Sequence, residues 1–114
     1  MPFVDVKLTK KITDEEKIAV KAALGKMIEI FPGKSENWLM CSIDSGKSIW
    51  FRGDASEDSA FIEVKLFGSV NSDCADRFTS AVCEFLESSF GIDPSRVYVR
   101  YEGGTDWGWN GSNF

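Results

Sequence analysis

The sequence predicts an α+β fold, a two-layer α/β sandwich in which a four-stranded sheet carries two helices on one face. Three observations lead there. A strand–helix–strand pattern occurs twice along the chain, the helices begin or end on recognisable capping residues, and 114 residues make one domain spanning 1–114. Parallel strands joined through a helix need a crossover, and crossovers of one hand put both helices on the same side of the sheet.

Phe3 to Leu8 (FVDVKL) alternates apolar and polar residues, the period of a half-buried strand. Thr13-Asp14-Glu15-Glu16 has the form of a capping box, with Thr13 as N-cap and Glu16 three residues on. Behind it Val20, Leu24, Met27, Ile28 and Phe31 recur at helical spacing, and Pro32-Gly33 stops the helix. Trp38 to Ile43 (WLMCSI) is a short, largely apolar strand, followed by the turn residues Asp44-Ser45-Gly46. The pattern then repeats. Ala60 to Phe67 (AFIEVKLF) is a strand and Gly68 to Ser72 a loop. Asp73 to Phe90 is a second helix, with Ala75, Phe78, Val82, Phe85 and Leu86 inward and Gly91 as its C-cap glycine. Asp93-Pro94-Ser95 turns the chain into Arg96 to Tyr101 (RVYVRY), where alternation puts Tyr98 and Arg100 on one face and Val97, Val99 and Tyr101 on the other.

Composition removes several classes of function. A formal net charge of −5, with no basic block, speaks against nucleic acid, whose binding rests on cations neutralising phosphates. No apolar run approaches the roughly 20 residues of a membrane span, so membrane insertion is not expected. The start of the chain lacks a secretory signal. The expected compartment is the cytoplasm, and secretion would have to proceed without a signal peptide.

The chain has no histidine, which excludes Ser-His-Asp and Cys-His catalysis and most zinc chemistry. Cys41, Cys74 and Cys83 form no CxxC and no even set, so they read as buried structural thiols, with neither a metal site nor a disulfide framework. Gly46-Lys47-Ser48 ends like a phosphate-binding loop, but position 41, where that motif needs glycine, is Cys41. Asn110-Gly111-Ser112 fits a glycosylation sequon and is read as incidental. Acid–base work is left to carboxylates, lysine, tyrosine or the terminal amine.

The chain opens MPFVDV. A small second residue invites removal of Met1, which would leave Pro2 with a free secondary amine. That proline either starts a strand or serves as a base that needs no side chain. At the other end, GGTDWGWNGSNF is rich in glycine and carries two tryptophans and a terminal phenylalanine that would be costly to leave in water. These aromatic residues are expected to pack against a neighbouring subunit.

The N-terminal MPF, the Pro32-Gly33-Lys34 step, Pro94-x-Arg96-Val97-Tyr98 and the closing Trp107-Gly108-Trp109-Asn110-Gly111-Ser112-x-Phe114 resemble the macrophage migration inhibitory factor family of the tautomerase superfamily. The likeness spans essentially the whole chain, and the ending is most similar to protozoan and microbial members. It implies a homotrimer with active sites between adjacent subunits. It also implies keto–enol tautomerisation of phenylpyruvate-type and dopachrome-type substrates, small α-keto acids or enols, without metal or organic cofactor. Carried over residue by residue, it implies Pro2 as the proton-moving base, Lys34 as the pocket lysine and Tyr98 as a pocket tyrosine lent by a neighbour. The carboxylate-holding backbone amide falls near Phe67, and aromatic walls fall on Trp38, Trp107 and Phe114. Arg100 stands where mammalian members have a polar amide side chain, adding a cation if it faces the site. Their CxxC pair falls on Ser59 and Ile62, so a thiol-oxidoreductase role is not supported.

The chemistry of these residues agrees with those roles. A terminal amine ordinarily titrates at about 7.7–8.0, too high for a base at neutral pH. Aromatic walls and a nearby lysine both disfavour its protonated form. The same lysine can pair with a substrate carboxylate and stabilise an enolate. Two alternatives stay open: a cytokine-like protein that binds a cell-surface receptor and whose pocket is vestigial, and a relative that dehalogenates or hydrates small unsaturated acids.

Overall fold

Strict alternation builds the two central strands. In the computed structural model of the protein, which describes residues 1–114, Pro2, Val4, Val6 and Leu8 of β1 (Pro2–Leu8) are buried. Ala60, Ile62, Val64 and Leu66 of β3 (Ala60–Leu66) are buried likewise. The two strands run antiparallel, Asp5 facing Glu63. β2 (Met40–Asp44) joins the outer edge of β1 in parallel, and β4 (Val97–Glu102) joins β3 in parallel, giving the order β2-β1-β3-β4. Two β-α-β units thus meet back to back through an antiparallel seam.

Helices α1 (Asp14–Met27) and α2 (Ser72–Phe90) both cover the face that the alternation makes apolar. Val20 and Leu24 of α1, Ile28 just beyond it, and Phe78, Val82 and Leu86 of α2 join the strand residues in one core. Phe78 is its centre, with its ring 5.7 Å from that of Phe31 and 6.1 Å from that of Tyr101. The capping box forms as the sequence predicts: the Glu16 N–H donates to the Thr13 hydroxyl at 3.1 Å, and the Thr13 N–H to the Glu16 carboxylate at 2.9 Å. Gly91 closes α2 in the left-handed conformation, φ 68°. Ala75 and Phe85 pack on the core only half-buried.

Several boundaries differ from the sequence expectation. α1 ends at Met27 and continues as a 3-10 turn over Ile28–Ile30, because Pro32 holds Phe31 in the extended conformation, ψ 117°. β2 starts at Met40, since Glu36–Trp38 forms another 3-10 turn. α2 starts at Ser72, one residue early, where the Asn71 side chain accepts the Cys74 N–H at 3.0 Å. Arg96 lies in a turn before β4, where its guanidinium is buried and tied to Ser59 and Asp58. Of the thiols only Cys74 is buried; Cys41 and Cys83 are half-buried, and burial pushes both of them up.

The C-terminal tail makes contacts within its own chain that the sequence did not predict, and about half of each of the Trp109 and Phe114 rings remains free for a neighbouring subunit. The tail packs on its own chain as a hairpin of β5 (Gly108–Trp109) and β6 (Ser112–Asn113) turning at Asn110-Gly111. Gly68 and Gly104 exchange two backbone hydrogen bonds, of 2.7 and 2.8 Å, and so fold the tail back over the end of β3. The adjoining Gly103 is obligatory there, because a Cβ would lie 2.5 Å from the Gly68 carbonyl oxygen. Trp109 then meets Trp38 edge to face at 5.4 Å, and Phe114 meets Phe67 at 5.1 Å. About half of each tail ring stays in solvent, Trp109 being 54% and Phe114 50% exposed.

The sheet's other face is uncovered. It presents Phe3, Asp5 and Lys7 of β1, Phe61, Glu63 and Lys65 of β3, and Tyr98, Arg100 and Glu102 of β4. Lys7 and Asp5 pair there side by side.

Candidate active site

The start of β1, the segment after α1 and the C-terminal hairpin meet at one end of the sheet. Pro2 occupies the first position of β1, opposite Leu66, where a residue without an N–H costs the ladder least. It is buried, while Met1 before it is only half-buried. The Phe67 N–H, just past the end of β3, donates to the Met1 carbonyl at 3.1 Å and pins the terminus.

Lys34 reaches the same spot from the opposite side. The left-handed Gly33 (φ 80°) turns the chain after Pro32, and the Lys34 Nζ donates to the Phe67 carbonyl at 3.1 Å. Its ammonium also lies 5.9 Å from the centre of the Phe67 ring, and its charge acts on the Met1 terminal amine. Burial first, and then the Lys34 charge and hydrogen bond, hold that amine below its ordinary value.

Beside the terminus opens a cleft of about 320 Å³, lined by Met1, Pro2, Trp38, Met40, Trp107 and Trp109 among others. The sequence-predicted walls Trp38 and Trp107 are on it. Phe114 is not among its walls; it lies against Phe67, the residue whose carbonyl holds Lys34. Trp109, Met40 and Asn37 also line the cleft and were missed by sequence reasoning. For Trp109 a signal was present, since the WGW alternation turns both tryptophans to one side of a strand.

Tyr98 and Arg100 are elsewhere. In register, Tyr98 is level with Phe61 and hence with Lys7, five positions along β1 from Pro2 and so about 17 Å down the sheet. Arg100 is level with Glu63 and Asp5, three positions from Pro2 and so about 10 Å down the sheet, two strands across. Both stand exposed on the uncovered face. One chain therefore places Pro2, Trp38 and Trp107 on the cleft, holds Lys34 and Phe67 beside the terminus though not among the cleft walls, and leaves Tyr98 and Arg100 apart. No group of three or more cysteine or carboxylate side chains is placed to hold a metal ion, and no helix is long and apolar enough to cross a membrane.

The same architecture recurs in known structures. A macrophage migration inhibitory factor homologue from Leishmania major, MIF2, superposes with a TM-score of 0.90 at 26% identity, over 100% of this chain and 97% of its own. The homologue from Entamoeba histolytica gives 0.86 at 24%, over 99% and 98% of the two chains. The homologue from Prochlorococcus marinus gives 0.80 at 25%, over 98% of each. A protein crystallised after inactivation by 2-oxo-3-pentynoate shares the fold at 15% identity and a TM-score of 0.83, over 97% of this chain and 94% of its own. No curated protein sequence matches the chain. The family model described as macrophage migration inhibitory factor matches residues 1–114, and with the tautomerase fold in place the chain belongs to the macrophage migration inhibitory factor family.

Proposed function

We propose that the chain is a cofactor-independent isomerase that interconverts the keto and enol forms of aromatic α-keto acids, of the phenylpyruvate and dopachrome type, with Pro2 as its base once Met1 is removed. The observation that carries this reading is geometric: Pro2 lies on the wall of an aromatic cleft at the chain terminus, where burial and then the Lys34 charge lower the Met1 amine that now precedes it. Once Met1 is gone, the same surroundings disfavour the protonated form of the Pro2 amine, which as free base can take a proton from the carbon next to the ketone. The enolate oxygen develops negative charge as the proton leaves, and Lys34, fixed through the Phe67 carbonyl, supplies the opposing charge. The proton then returns from the Pro2 ammonium to oxygen or carbon, and the base is regenerated.

Removing Met1 does more than free the Pro2 nitrogen. The Phe67 N–H loses the Met1 carbonyl it now bonds, and becomes an unpaired donor next to the base. An unpaired N–H beside a lysine suits a carboxylate, which fixes the substrate's polar end while Trp38 and Trp107 take the ring. Tyr98 completes the pocket from a neighbouring subunit of a homotrimer; its distance along the sheet from Pro2 fits a residue given away and not used at home.

The test is phenylpyruvate tautomerisation by the purified protein beside Pro2→Gly, with intact mass used to verify loss of Met1. The variant should lose about 100-fold or more in kcat/KM. 2-Oxo-3-pentynoate should add once to the wild-type chain, its triple bond receiving the Pro2 amine, with the adduct in the N-terminal peptide. Processed, folded wild-type protein that turns over phenylpyruvate no faster than buffer sinks the proposal.

A further inference from the structure

A tight turn remote from the cleft is built around Tyr98. The Phe51 N–H donates to the Asp54 carbonyl at 2.9 Å and the Asp54 N–H to the Phe51 carbonyl at 3.0 Å, so Arg52 and Gly53 form a two-residue loop. Both have positive φ, 54° and 74°, as mirror-image hairpin turns demand. Gly53 adopts this freely, but an arginine pays for it in strain, and strain persists only where its surroundings over-determine it.

Arg96 is what over-determines it. The side chain is buried, its Nε donating to the Ser59 hydroxyl at 2.9 Å and the Asp58 carbonyl at 3.2 Å. One terminal nitrogen donates to the Asp54 carbonyl at 2.9 Å, and the other reaches the Asp54 carboxylate at 3.4 Å. The guanidiniums of Arg96 and Arg52 lie 5.4 and 5.2 Å from the centre of the Phe51 ring, close enough for cation–π attraction. That ring meets Tyr98 edge to face, centroids 5.6 Å apart at 71°. Tyr98 is otherwise 63% exposed on the open face.

We propose that Phe51, clamped by Arg96 and the strained Arg52-Gly53 turn, is a positioning residue that fixes the Tyr98 phenol before it is presented to a substrate. The functional half of this statement rests on the reading of Tyr98 as a site residue given above; the positional half does not. Edge-to-face pairs are worth about two- to tenfold in an equilibrium. Phe51→Ala should therefore lower kcat/KM for phenylpyruvate by about that factor, chiefly through KM.

The chain has two tyrosines, Tyr98 and Tyr101, which makes a direct test practical. Protein labelled with 3-fluorotyrosine should give two fluorine resonances, assigned with Tyr98→Phe. Phe51→Ala should shift and narrow the Tyr98 line. Tyr101, whose hydroxyl is bonded to Thr79 and to the Ala75 carbonyl, should hold still and report an intact core. Asp54→Ala should act in the same direction, and Phe51→Tyr should restore both line and rate. In a Tyr98→Phe background, Phe51→Ala should cost nothing further in kcat/KM, because the two residues then act as one unit. A Tyr98 line that ignores Phe51→Ala overturns the proposal, even if the wild-type protein has no turnover and the reading of the site fails separately. Equal losses in both backgrounds, or a shifted line with wild-type kinetics, overturn its functional half.

Discussion

At Lys34 the ammonium is held by a backbone carbonyl, so its position is fixed while its charge acts on the Met1 amine, and on the proposed Pro2 base once Met1 is removed. A cation disfavours protonation of a neighbouring amine, and removing it must raise that amine's pKa. In the processed protein, Lys34→Met should therefore move the acid limb of the kcat/KM–pH profile to higher pH, whereas Lys34→Arg should leave it near its wild-type position. At the Met1 amine burial is the larger cause of the lowering; burial of the terminus survives the substitution, so the shift in the processed protein should be partial. A profile that stays in place, or moves to lower pH, shows that the lysine charge does not reach the base. The core offers a stability counterpart. Phe78 is wholly buried, against Phe31 and Tyr101, and Phe78→Ala should cost about 3–5 kcal/mol in urea unfolding by leaving a cavity.

Among the elements, the two helices are held at their ends in different ways, and each end makes its own prediction. α1 starts on a complete capping box, and Thr13→Ala should cost about 1 kcal/mol because the Glu16 N–H loses its acceptor. α2 ends on Gly91 at φ 68°, where Gly91→Ala should cost about 1–2 kcal/mol although no heavy atom stands within 4 Å of the added methyl. Thermal melts of both variants check this pair. A Gly91→Ala protein as stable as wild type would mean that the chain reroutes there at little cost.

For the whole molecule, the uncovered sheet face and the half-exposed tail rings belong to one question, namely how Tyr98, about 17 Å along the sheet from Pro2, would reach a base in the proposed homotrimer. In a cyclic assembly with head-to-tail interfaces, each site draws on two chains, so two defective variants can repair each other. Pro2→Gly and Tyr98→Ala proteins, unfolded together and refolded as an equal mixture, should recover about a quarter of wild-type activity by random assembly. Recovery no greater than the mean of the two separate variants would put Tyr98 outside the partner's site.

Much of the architecture was legible in the chain because it depends on local periods. The alternation of FVDVKL and AFIEVKLF, the Thr13 box and the Gly91 cap each act over a few residues, and the structure departs from them only at boundaries such as Met40 and Ser72, where short turns replace the ends of regular elements. The Pro2, Lys34 and Phe67 grouping came from a resemblance, because no local rule joins residues 33 positions apart. Only the tertiary structure decided that the tail closes on its own Trp38 and Phe67, that Arg96 is a buried anchor and not a strand residue, and that Phe51 stands against Tyr98. Those outcomes hang on close backbone approaches at Gly68 and Gly103, on side chains filling shared space, and on strand register. Periodicity sets which face of an element is apolar; which distant element comes to lie against it is set by packing.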